Sequence, residues 1–214
     1  MTSPALEASS LSFGYTPGQE IISGWDAQFP HGSITALTGR SGRGKSTALY
    51  LLGLMLRPTG GDILVEGLST TGMKDREKAN LRAQQFGFVF QDAALDPNRS
   101  VLDNVTEGAL YLGVPRADLQ DRGLALLDQF GVDVPASRKP TQISGGQAQR
   151  IALCRALVHH PNVILADEPT GNLDPHTGDI VTTALIEHAR NGAAVIVVTH
   201  SPDLAARCDR ELML

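Results

Sequence analysis

At 214 residues the chain is long enough for one sizeable domain with a buried core. Its formal net charge of −5 argues against a nucleic-acid-binding surface, which is usually basic, and no nucleic-acid partner is expected. The apolar run at 48–56 falls far short of the roughly 20 residues needed to span a bilayer, and residues 1–10 lack the basic and apolar regions of a secretory signal.

Residues 6–12 and 25–29 alternate in the strand manner, joined around Pro17-Gly18, with Trp25, Ala27 and Phe29 on one face and Trp25 in the core. A short apolar strand at 33–38 then leads into Gly39-Arg40-Ser41-Gly42-Arg43-Gly44-Lys45-Ser46, and a helix-length apolar stretch follows at 47–56. This is G-x-x-x-x-G-K-[ST] in its confirming strand–loop–helix context. The glycines let backbone N–H groups converge on phosphate oxygens, and the helix N-terminus adds partial positive charge. Lys45 is placed to reach the β- and γ-phosphates, and the Ser46 hydroxyl to ligate Mg²⁺. A short strand at 63–65 follows the turn at 58–61.

Three further apolar runs read as parallel strands buried on both faces. The run at 86–90 ends at Gln91, that at 163–166 at Asp167-Glu168-Pro169, and that at 194–199 at His200. Ligands of open α/β sheets sit beyond the carboxyl ends of such strands. A lone histidine after a strand is ordinarily a surface or core residue; here the set carries the reading. Asp167 is placed to hold Mg²⁺ through water, and Glu168 to orient or deprotonate the attacking water. Gln91 can touch metal and water, and His200 the γ-phosphate. Phosphoryl transfer needs mostly positioning and charge stabilisation, so this short set is sufficient.

Between Gln91 and Ser144 the pattern changes. Segment 92–142 shows helical periodicity at 101–112 and 117–130, punctuated by Gly113 and Pro115, and forms an inserted helical subdomain. Ile143-Ser144-Gly145-Gly146-Gln147 then opens a helix at 147–159, with Ser144 as its cap and Pro161 beyond its end. Two glycines behind a serine at a helix N-terminus make a second phosphate receptor. Two half-sites in one chain predict a dimer that traps nucleotide between subunits. Cys154 and Cys208 have no metal or redox spacing and read as reduced thiols, Cys154 packed in the core.

Over essentially its whole length the chain resembles the ATP-binding subunit of an ABC transporter. Residues 39–46 match Walker A, Gln91 the Q-loop, 143–150 the signature motif, 163–168 Walker B with its catalytic glutamate, Asn172-Leu173-Asp174 the D-loop and His200 the switch histidine. The resemblance implies an α/β P-loop ABC ATPase fold, one domain over 1–214, with a mostly parallel core sheet, an N-terminal antiparallel β subdomain and the helical subdomain at about 92–142. It implies ATP and Mg²⁺ as ligands, catalytic roles for Glu168, His200 and Gln91, and metal contacts from Ser46, Gln91 and Asp167. Nucleotide contacts fall on Tyr15, where the family places an aromatic against adenine, on Gly39 through Thr47, and on Ser144, Gly145, Gly146, Gln147 and Asp174. In the family the signature tip binds the γ-phosphate held on the other subunit, so a homodimer is implied. The resemblance makes the helical subdomain the docking surface for an integral membrane, permease-type subunit, and the protein is expected in the cytoplasm, peripheral on the inner face of the cell membrane.

The string 167–174 is similar to the subgroup serving lipoprotein release, macrolide or antimicrobial-peptide export and cell division, whereas 96–100 resembles peptide-import ATPases. An ATP-controlled cell-division module that moves no substrate shares the same site chemistry. Chromosome and DNA-repair ATPases need a long coiled-coil insertion that is absent, and a P-loop kinase explains neither Ser144–Gln147 nor Glu168. Arg40 and Arg43 stand where the family has small or neutral residues, and Ala148 where it has an amide or acid. Residues 211–214 are expected to leave a trimmed sheet edge.

Overall fold

The computed structural model describes residues 3–40, 42–171 and 173–214. Strands β1 (Leu6–Phe13) and β2 (Ile22–Phe29) pair antiparallel, as their alternation predicts, and β3 (Ser33–Thr38) runs into the glycine loop and α1 (Lys45–Leu52). β4 (Gly60–Val65) and β5 (Leu68–Ser69) complete a four-stranded antiparallel sheet in the order β2-β1-β4-β5. Helix α2 (Asp75–Gln85) precedes β6 (Phe86–Val89); α3 (Val101–Val105), α4 (Gly108–Leu112) and α5 (Ala117–Gln129) follow. Then come α6 (Gly145–Leu157), β7 (Val163–Asp167), α7 (Pro175–Arg190), β8 (Ala194–Val198), α8 (Pro202–Ala206) and β9 (Arg210–Met213). The second sheet is parallel throughout, in the order β6-β7-β8-β3-β9.

Period-two alternation in the buried strands divides the core. Ile164 and Ala166 of β7 and Val195 and Val197 of β8 face one cluster with α3, α5, α6 and α7. Val163, Leu165, Ile196 and Val198 face the other, with α1 and the antiparallel sheet. Trp25 is partly buried and packs against this second cluster, edge-on to Phe29.

Several boundaries differ from the sequence reading. α1 stops at Leu52: Gly53 lies so close to the sheet that a Cβ would meet Phe88 Cε1 at 2.7 Å, and Leu54 turns left-handed at φ 57°. The periodicity at 101–112 resolves into two short helices. Thr106 lies between them, with its hydroxyl donating to Leu102 O at 2.8 Å in competition with the helical ladder. Residues 210–213 form the edge strand β9, held against β3 by ladder bonds and by Leu214 N–H donating to Thr38 O at 3.0 Å. α2, α7 and α8 lie where no helix is expected. No helix among the described residues is long and apolar enough to cross a membrane.

Candidate nucleotide site

Parallel register brings four strand ends to one edge. Asp167 pairs with Val198, Val89 with Ala166 and Leu37 with Val198, so the residues following β3, β6, β7 and β8 emerge side by side. Between them lies a cavity of about 590 Å³. Its lining includes Gly42, Gly44, Lys45, Ser46 and Thr47 of the loop, and Gln91, Asp167, Glu168 and His200 from the other strand ends.

Each group is held by its own chain. Gly39 and Gly44 adopt φ 141° and 87°, conformations that glycine reaches without Cβ strain. A Cβ would also collide with Leu214 O at 2.7 Å from Gly39, and with Ile21 Cγ2 at 2.5 Å from Gly44. Lys45 is buried, and its ammonium donates to Gly39 O (3.0 Å) and Arg40 O (3.1 Å), curling the loop around it. Ser46 Oγ donates to Asp167 Oδ1 at 3.2 Å. Burial pushes the Asp167 carboxyl above its ordinary pKa, against the Ser46 bond and the Lys45 charge, which pull it down. The Tyr50 hydroxyl is also raised, first by burial and then by Asp167 and Tyr15.

Glu168 sits at φ 44°, a left-handed conformation uncommon outside glycine. Its N–H is tied to Val198 O at 2.9 Å, and Oε2 accepts from His200 N at 3.3 Å. Oε1 is buried with no hydrogen-bond partner among the described residues, 3.6 Å from His200 Nε2. An orphaned carboxylate oxygen on a residue that lines a polar cavity has acceptor capacity to spare, and it sits on a strained backbone. The oxygens of Ser46, Asp167 and Gln91 are hard donors of the kind Mg²⁺ takes, and these residues share the cavity.

Not every expected residue lines it. Tyr15 is exposed beside it, Oη 3.4 Å from Thr47 Oγ1. Gly39 opens onto a neighbouring hollow with His200. Arg40 and Arg43 are exposed and stand outside the lining. Ser41 and Asn172 lie outside the described residues. Asp174 spends its carboxylate capping α7: Oδ1 accepts from His176 and Thr177 N–H, and Oδ2 from the Thr177 hydroxyl at 2.6 Å. Those Thr177 bonds hold its pKa below the usual range. Ile21 and Gly171 line the cavity without a sequence signal of their own.

The α6 tip also lies elsewhere. Ser144 and Gln147 form a reciprocal capping box: Gln147 N–H donates to Ser144 Oγ (3.2 Å) and Ser144 N–H to Gln147 Oε1 (2.9 Å). Gly145 opens instead onto a small hollow behind Gln91 and Glu168. The N–H groups of Gly145 and Gly146, first in the helix, have no carbonyl one turn back.

A profile of the ABC transporter family matches residues 22–171. The lipoprotein-releasing system ATP-binding protein LolD of Paramagnetospirillum magneticum is 41% identical over 214 residues, covering 98% of this chain and 95% of that protein. The pyoverdine export ATP-binding/permease protein PvdT of Pseudomonas fluorescens is 40% identical over 98% of this chain, which spans only 33% of PvdT. Among solved structures, a dimeric post-hydrolysis state of the ATP-binding cassette MJ0796 bound to ADP and Pi matches with a TM-score of 0.89. Identity there is 31%, over 98% of this chain and 94% of that one.

Proposed function

Because the chain belongs to the ABC transporter family, we propose that it binds and hydrolyses ATP as the motor subunit of a membrane transporter, two copies clasping the nucleotide between them. One observation carries this reading: Lys45, Ser46, Gln91, Asp167, Glu168 and His200 converge on one cavity, while Gly145 of the α6 tip lies outside its lining, on a separate hollow. A Cβ on Gly145 would meet nothing within 4 Å. Nothing among the described residues accounts for a glycine at this first helical position, so its use points to something outside the chain that approaches the backbone closely. A phosphate held by a second copy has that chemistry.

In this scheme the loop N–H groups and Lys45 bind the phosphate tail and orient it toward the ends of β7 and β8. Ser46, Asp167 and Gln91 would hold Mg²⁺, which when bound offsets charge on the β- and γ-phosphate oxygens. Glu168 Oε1 accepts a proton from the attacking water and His200 steadies the γ-phosphate. Tyr15 stacks on the base, and Arg40 and Arg43 add positive charge at the loop's outer face. Segment 92–142 is the helical subdomain of a single ATP-binding domain. It docks a permease-type membrane partner at the cytoplasmic face of the cell membrane, a pairing that the fused ATP-binding/permease architecture named for PvdT favours.

Purified protein given ATP and Mg²⁺ is expected to release phosphate and ADP in equal amounts, with release at sub-saturating ATP reduced when Lys45 is replaced by Met. ATP that neither binds nor turns over at millimolar concentration would overturn the reading.

A further inference from the structure

Helix α6 grips its own chain at both arms of the hydrolytic centre. Gln149 is buried; its Nε2 donates to Phe90 O at 3.0 Å and lies 3.5 Å from Pro169 O. Those carbonyls belong to the residues immediately before Gln91 and after Glu168. About 9 Å further along the helix, Arg155 NH2 donates to Ala93 O and NH1 to Ala94 O, each at 2.9 Å. Ala94 is itself left-handed at φ 48°, so the fork holds a strained turn just past Gln91. Behind it the guanidinium lies 3.7 Å from Glu107 Oε1, whose other oxygen takes Arg99 NH1 at 3.2 Å; Arg99 Nε reaches Asp96 Oδ2 at 3.2 Å. The 96–100 segment, which lies outside the cavity lining, thus anchors the brace.

We propose that Gln149 and Arg155 are positioning residues which set Gln91 and Glu168 through the backbone, so that α6 works as a rigid strut between the two nucleotide sites of a dimer. The inference rests on the clasped-dimer reading: the strut's tip meets the twin's phosphate while its body fixes the hydrolytic groups of its own site. Hydrogen-bonded helix transmits a shift of the tip as a rigid displacement, and the carbonyls at 90, 93, 94 and 169 follow the side chains that hold them. Turnover at one site therefore depends on closure at the other.

A lysine at 155 keeps the charge opposite Glu107 but cannot make both carbonyl bonds at once, since the planar fork is what matches two acceptors. Arg155→Lys is expected to lower kcat about tenfold, misplacement of a reacting group on the ångström scale being enough for that, with KM for ATP and the thermal midpoint unchanged. In a Gln91→Ala background the same substitution should cost nothing further, because its effect runs through Gln91. Gln149→Met, which keeps the volume and drops the donor, should lower kcat likewise and bring the Hill coefficient for ATP down to one. A full, independent loss from Arg155→Lys in the Gln91→Ala background, or losses that track the thermal midpoint, would overturn the proposal. Those results presuppose a wild-type chain that hydrolyses ATP; an inactive wild type that binds no ATP contradicts the functional reading instead.

Discussion

The N-terminus of α1 is closed in by its own chain, and that of α6 is not. Around α1, Gly39 and Gly44 leave no room for a Cβ, Lys45 is ringed by carbonyls and Ser46 is bound to Asp167. Over Gly145 there is open space, and the only side-chain bonds at that tip join Ser144 to Gln147 among the described residues. At Gly39 and Gly44 glycine is thus used because the chain itself crowds the loop. At α6 the reason must come from outside. The contrast separates a half-site that is built and filled internally from one that is presented.

Five substitutions probe that contrast. The largest effect is expected from Glu168→Gln: hydrolysis falls by ~10²–10⁴, the range for losing a general base, while ATP binding survives. Phosphate release and equilibrium nucleotide binding measure the two halves. Next is Lys45→Met, which removes a charged donor worth about 1.5–3 kcal/mol per hydrogen bond and should weaken ATP binding ~10–100-fold by calorimetry.

A pair of alanines then sets the two tips against each other. Gly44→Ala forces a left-handed residue and a clash with Ile21, and should cost about 1–2 kcal/mol in urea unfolding. Gly145→Ala has room in the isolated chain and should leave stability within about 0.5 kcal/mol, yet lose turnover several-fold. Stability and activity moving together at Gly145 would erase the distinction.

The smallest effect concerns pH. Folding raises the Asp167 pKa above 3.8, chiefly by burial. An acid of that kind binds its proton more tightly when folded. Its contribution to stability is therefore full below the unfolded value and is lost as pH rises through the raised folded one. Asp167→Asn has no charge to desolvate. Without nucleotide it should be more stable than the parent at neutral pH, with a flatter acid-side slope in urea titrations. Unchanged stability would mean that the parent carboxylate is already well solvated.

The strand ends were the most legible part, because β3, β6, β7 and β8 are apolar on both faces and each stops at a polar residue aimed at the same edge. α2 left no such trace: none of its residues is buried, so no apolar period marks it. α7 carries a local signal of a different kind, an Asp174 cap followed by Pro175 at the first helical position. β9 is a four-residue edge strand, mostly exposed, whose existence depends on pairing with β3 rather than on its own pattern. The grip of Gln149 and Arg155 joins residues about 60 apart, and a contact that long-range has no local signature. At Glu168 the residue type was readable, whereas its φ of 44° and its orphaned Oε1 were not.

Sedimentation of the Glu168→Gln protein with saturating ATP tests the central claim most directly. The clasp predicts the mass of two chains, reverting to one when ATP is withdrawn or when Gly145→Asp places a carboxylate at the α6 tip. A single-chain mass with ATP demonstrably bound would contradict it.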